Sequence, residues 1–213
     1  MALAVVTMSY SYAQKNELAL TKGYVEKITK NFEAINNGSV YRHYYGQNIL
    51  NEMVALNNAK KVYVFNGLDG NGAVHLVFKI VSIDGEIINL SYAYDEGKTC
   101  PPRCSPNSSG ENIKNIGGKI AEGQAQQWVN NFQENYPHKA GVFSFSTEEF
   151  KKILASKNAD GMFFSYGLDN GVESLVVGAV DSKMIMLLDN HLSIGIGEKI
   201  STLYPTQNMV KKN

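Results

Sequence analysis

Residues 61–82 read KVYVFNGLDGNGAVHLVFKIVS, and residues 161–180 read GMFFSYGLDNGVESLVVGAV. Each stretch is an apolar run, a Gly-Leu-Asp turn followed by further glycine, and a second apolar run. Asp-Gly and Asn-Gly suit the positive φ of tight hairpins, so both stretches are expected to be β-hairpins. Alternation puts Leu76, Phe78 and Ile80 on one face of the second strand, and Leu175, Val177 and Ala179 on the matching face of its counterpart. Leu175 to Val180 is nearly all apolar, as in a strand covered on both faces. The turn Gly67 to Gly72 lacks the D-x-D-x-D-G spacing of a calcium loop and the Gly-Lys-Ser/Thr of a phosphate loop.

The likeness of the two stretches extends outward. Shifted by 100 positions, residues 31–69 align without a gap onto residues 131–169, with eight identities in 39 positions. Ordinary composition would give roughly two or three. The identical pairs are Asn31/Asn131, Phe32/Phe132, Ala55/Ala155, Asn58/Asn158, Ala59/Ala159 and the two Gly-Leu-Asp triplets. Each half then reads as one series of elements. Leu20, Tyr24, Val25, Ile28, Phe32 and Ile35 recur at helical spacing, as do Ile120, Ala125, Trp128, Val129 and Phe132. Trp128, the single Trp, falls on a core stripe there. A short alternating strand follows at Tyr41 to Tyr45 and at Val142 to Phe145. A second helix comes next, and Ser146 with Glu149 has capping-box spacing. Three strands complete the half: residues 61–66, 73–81 and 86–94, against residues 161–166, 172–180 and 183–188.

The expected fold is therefore α+β, a tandem duplication of a helix–strand–helix–three-stranded antiparallel meander unit. The halves are expected to share one sheet, because unpaired meander edges call for cover. Residues 14–100 form the first half and residues 119–205 the second. Residues 101–118, rich in Pro, Ser, Asn and Gly, have loop or linker composition, and 206–213 read as a frayed tail.

Composition narrows the function classes. The chain has 213 residues, 20 Lys+Arg against 20 Asp+Glu, 44% hydrophobic and 19% charged residues. That is too apolar for disorder, and no apolar run reaches the ~18 residues of a membrane span. A net charge of zero gives no electrostatic case for nucleic acid. Residues 1–13, MALAVVTMSYSYA, resemble the apolar and cleavage regions of a signal peptide, with small residues at −3 and −1 before Gln14. They lack a leading Lys or Arg, and an N-terminal strand is the other reading. Export would make the compartment periplasmic or secreted and permit disulfides; the alternative is cytoplasmic.

Cys100-Pro101-Pro102-Arg103-Cys104 has neither a second Cys pair for a metal nor redox C-x-x-C spacing. A small structural disulfide between Cys100 and Cys104 is the reading that fits an exported protein, with free thiols, or half of a metal site completed by a partner chain, as the alternatives. The aromatic stretch Tyr41-Arg42-His43-Tyr44-Tyr45 splits by alternation. His43 and Tyr45 align with Phe143 and Phe145 and are expected in the core, whereas Arg42 and Tyr44 take the other face and are the binding candidates. His75, His138 and His191 show no metal spacing, so neither a metal nor a cofactor is expected. No catalytic residue is assigned, although His191 with a distant acid would make a dyad.

Tyr166-Gly167-Leu168-Asp169, Asn66-Gly67-Leu68-Asp69, residues 45–50 (YGQNIL) and the Cys-Pro-Pro-x-Cys motif together resemble a group of small Bacteroidetes-type proteins. The resemblance implies no activity, since none is assigned to the group. This chain departs from it by carrying two copies, with the Cys motif after the first alone. The expected function is a non-enzymatic binding or interaction protein of the bacterial envelope or secreted space. Its expected partner is a protein, such as a toxin or envelope protein, rather than a small molecule. The rival is a hydrolase with its site in the groove between the halves.

Overall fold

The structure, a computed structural model, describes residues 21–36, 39–101, 112–139 and 142–187, and the backbone of 194–196 and 198–200. The leader-like residues 1–13, Cys104, His191 and the tail 206–213 lie outside the described residues. The fold is α+β, with four helices and two antiparallel sheets among the described residues. The helices are α1 (Lys22–Ile35), α2 (Gln47–Ala55), α3 (Glu122–Asn135) and α4 (Thr147–Leu154). None is long and apolar enough to cross a membrane.

Two helices, α1 and α4, start at a side-chain cap. The Thr21 hydroxyl accepts from the Tyr24 N–H at 3.2 Å and caps α1. Before α4, Ser146 Oγ accepts from Glu149 N–H, and Glu149 Oε2 accepts from Ser146 N–H, which forms the expected capping box. Such a cap stabilises a helix by about 1 kcal/mol.

Five strands form the first sheet: β1 (Arg42–Gly46), β5 (Lys98–Cys100), β8 (Gly161–Asp169), β9 (Val172–Val180) and β10 (Ile194–Ile196), in the order β10-β9-β8-β1-β5. The second sheet runs β11-β7-β2-β3-β4-β6, from β2 (Ala59–Leu68), β3 (Val74–Ser82), β4 (Tyr92–Asp95), β6 (Gly118–Ala121), β7 (Val142–Ser146) and β11 (Glu198–Ile200). The strands thus make two sheets rather than one, and each sheet draws strands from both halves of the chain. The hairpin β8–β9 of the second half pairs with β1 of the first, and the hairpin β2–β3 of the first pairs with β7 of the second. The registers also correspond. His43 faces Phe164 across β1–β8, and Phe143 faces Val64 across β7–β2, each the other displaced by 100 residues.

The third strand of the first meander is shorter than the sequence pattern suggests, and the one expected over residues 183–188 is, among the described residues, an isolated bridge, with β10 as the strand beside β9. Asn89 explains the first case. Its side-chain Oδ1 accepts from Ile80 N–H at 2.8 Å, taking a backbone donor that strand pairing would otherwise use. Regular pairing resumes at Tyr92, after an isolated bridge between Val81 and Ile87. The second half has the same kind of bridge, between Val180 and Met186.

The sheets stack face to face, with a helix on each outer face. Tyr45, Phe78, Phe145, Phe150 and Phe164 meet edge to face or tilted between the sheets. Val25 and Ile28 of α1 pack with Tyr44, Phe163 and Val176 on the outer face of the first sheet. Ala125 and Val129 of α3 pack with Phe65, Val77 and Val142 on the outer face of the second. Both faces of each sheet are therefore buried, which accounts for the unbroken apolar runs Leu76–Val81 and Leu175–Val180. The end of the expected linker also joins the core: Ile113 and Ile116 are buried beside Cys100 and Tyr44.

Candidate functional site

The two outer helices end at one place. The C-terminal turns of α1 and α3 and the segments after them border a pocket of roughly 210 Å³. Its walls include Phe32 and Phe132, an identical pair under the 100-residue shift, together with Tyr136 and Tyr166. Phe32 stacks on Tyr166 at a centroid distance of 5.2 Å. Tyr166 Oη donates to Asn66 Oδ1 at 2.6 Å, so positions 66 and 166 meet directly. Burial, then the negative charges of Glu173 and Asp95, push the Tyr166 phenol well above its ordinary pKa, and it stays protonated. The charged lining groups are Lys139 and Glu173. Lys139 Nζ lies 3.7 Å from Glu173 Oε1 and donates to Asn36 Oδ1 at 3.4 Å.

A second polar cluster lies deeper. Tyr45 Oη donates its proton to Asp95 Oδ1 at 2.7 Å, with the Leu76 carbonyl 3.2 Å away. His75 Nδ1 is 2.6 Å from Asp95 Oδ2, and Nε2 lies 3.6 Å from Asp69 Oδ2. The His75 ring stacks on Trp128 at 3.9 Å, so the core-stripe Trp also covers a polar pair. Burial alone would lower the His75 pKa, but the Asp95 hydrogen bond and charge, followed by those of Asp69, raise it above its ordinary value. Asp69 also accepts from the N–H groups of Asn71 and Ala73, which closes the hairpin turn.

His43 is 1% exposed, in the core as alternation implies. Its Nε2 has no hydrogen-bond partner among the described residues. Burial drives its pKa down to about 4, against the opposing charge of Asp95 and with a smaller push from His75. It is a neutral core histidine at neutral pH.

The two sequence candidates lie elsewhere. Arg42 and Tyr44 are on the face opposite His43, but α1 covers that face. Tyr44 is 1% exposed. Arg42 is half-buried, its guanidinium 5.4 Å from the Tyr41 ring centroid and 5.8 Å from that of Phe163, with Nε donating to Ser165 Oγ. Neither lines the pocket. Cys100 is buried on β5, and its expected partner Cys104 lies outside the described residues. His138 is exposed, and His191 falls outside the described residues.

Of the pocket residues, Lys139 and Glu173 carry no motif, and Asn66 and Tyr166 stand just before the two Gly-Leu-Asp triplets, where the sequence reads as strand rather than site. The signal that could have found them is the shift itself, which superposes Phe32 on Phe132 and Asn66 on Tyr166. Among the described residues, no group of three or more His, Cys, Asp or Glu could hold a metal ion. Comparison with protein-family models, curated proteins and solved structures finds no match to this chain.

Proposed function

We propose that the protein is a non-enzymatic binding protein whose site is the pocket between the C-terminal ends of α1 and α3. The observation that carries this reading is the composition of the pocket: four aromatic rings and one Lys–Glu pair, with His43, His75 and Asp95 absent from its lining. Neither His75 nor His43 offers a hydrolase base there: His75 Nε2 is buried against its neighbours, His43 is sealed in the core, and the lining carboxylate Glu173 is paired with Lys139.

The proposed origin of the scaffold is a tandem duplication in which the two copies exchanged strands. Its support is the matched strand order of the two sheets and the 100-residue correspondence of the β1–β8 and β7–β2 registers. On the leader-like residues 1–13, the protein belongs to the bacterial envelope or secreted space, with a Cys100–Cys104 disulfide and a protein partner that offers a side chain to the pocket.

Capture from an envelope fraction tests the site. Ser39 is exposed and lines the pocket, so Ser39→Trp fills the mouth without entering the core. A partner retained by the native chain is expected to be lost from this variant at unchanged melting temperature. Equal retention by both would remove the pocket from the function.

A further inference from the structure

Two helix C-termini border the pocket. A helix C-terminus presents carbonyls without intrahelical donors and carries a partial negative charge, which a basic residue in the last turn commonly answers. Neither α1 nor α3 has a basic residue there. Each has a carboxylate instead, Glu33 and Glu134. Glu173 adds negative charge on the lining, and aromatic rings form much of the wall.

We infer that this pocket binds an organic ammonium group, primary or methylated, and that Lys139 is a tethered cation holding the acidic end until a ligand displaces it. The inference rests on reading the pocket as the binding site. Ring faces attract a cation through their quadrupole, and quaternary and methylated ammonium groups are bound in this way by aromatic cages. Among the described residues that line the pocket, Lys139 is the one cation. Its contacts at 3.4 Å and 3.7 Å are long, and its side chain is 45% exposed. An exposed pair of that geometry holds weakly, so displacement costs little. A carboxylate ligand would have to compete with Glu173 for Lys139 and would meet two helix C-termini of its own sign. The volume accommodates the head of a small amine or the end of a lysine side chain.

The test is NMR titration of the full chain, read at the Asn66 side-chain amide and the Phe32 ring. The probes are choline, its neutral isostere 3,3-dimethylbutanol, phenylacetate, and a short peptide bearing lysine or trimethyl-lysine. Choline or the peptide is expected to shift these signals, with the neutral isostere about tenfold weaker or more. Glu173→Gln should weaken cation binding by about tenfold, and Lys139→Met should strengthen it. A peptide that binds more tightly than choline assigns the ammonium to a protein side chain; the reverse order assigns it to a free amine. Binding of phenylacetate that Lys139→Met abolishes, or equal binding of the neutral isostere, would overturn the ammonium but leave the pocket as the site. No shift with any probe would overturn both.

Discussion

The side-chain amide of Asn131 donates to the carbonyl of Leu68 at 3.1 Å, tying α3 to the hairpin of the other half. Asn31 does the same to Leu168 at 3.2 Å, tying α1 to the opposite hairpin. Four of the residues that match under the 100-residue shift therefore make a single interaction twice, in crossed fashion. Replacing either Asn with Ala should cost about 1 kcal/mol, and replacing both about 2 kcal/mol, because the sites share no partner. Chemical denaturation of the single and double variants checks this sum.

The crossing has a consequence for the backbone. Each sheet needs strands from both halves, and each outer helix covers the other half's hairpin. A protease site placed within residues 105–111, outside the Cys100–Cys104 loop, and cut should therefore leave the two fragments associated under native conditions. Size-exclusion chromatography of the cleaved protein is expected to give one peak at the intact size. Separation into two folded fragments would contradict the exchanged pairing.

The same helix–hairpin contacts explain two glycines. A Cβ on Gly67 would lie 3.1 Å from Trp128 Cβ, and one on Gly167 would lie 3.0 Å from the Ile28 side chain. Both distances are tight, so α3 and α1 would each have to give way. Gly67→Ala and Gly167→Ala should each cost about 1–3 kcal/mol, as overpacking does. Gly70, at the hairpin tip, has open space around its Cβ position, and Gly70→Ala is the matched control. In thermal melts, about 1 kcal/mol should appear as a shift of roughly 2–4 °C for a chain of this size.

What could be read from the sequence divides along the range of the interaction. Local chemistry was legible: the Gly-Leu-Asp hairpins, the Ser146–Glu149 box and the face of His43 all depend on residues a few positions apart. The pairing of strands between the halves was not. The apolar pattern of β1 is the same whether it pairs within its own half or with β8, so periodicity cannot choose the partner. The fate of Tyr44 followed from that choice, since alternation assigns a face but not the helix that covers it. The pocket was hidden for the same reason: Asn66 and Tyr166 are 100 residues apart and meet only because the halves interlock. His75 and Asp95 are 20 residues apart, and the irregular chain around Asn89 that joins them has no periodic signature.

The buried carboxylate of Asp95 serves both Tyr45 and His75. In Asp95→Asn the amide keeps the shape but loses the charge, and one of its two polar atoms can no longer accept. Hydrogen bonds to charged groups are worth about 1.5–3 kcal/mol, so a loss on that order is expected. The imidazole supplies a second readout. Without the Asp95 charge, burial dominates and the His75 pKa should fall relative to the native protein. A His75 titration by NMR that is the same in both proteins would mean that the pair is not formed in solution.

His43 and His75 make stability depend on pH in opposite directions. The folded pKa of His75 is raised, so its contribution is fully present below its unfolded value of about 6.5 and is lost as pH rises through the folded value. The folded pKa of His43 is lowered to about 4. Between about pH 6.5 and 4 the unfolded chain takes up a proton at His43 that the folded chain refuses, so stability falls with pH across that window, by on the order of 3 kcal/mol. The position corresponding to His43 in the other half is Phe143, which fills the same inward site on β7. His43→Phe should therefore be accommodated, remove the unpartnered Nε2 from the core, and flatten the acid slope. Denaturation midpoints of the native and variant proteins at pH 7, 5.5 and 4 decide the matter. The two curves should diverge as pH falls, and parallel curves would show that His43 is charged in the fold.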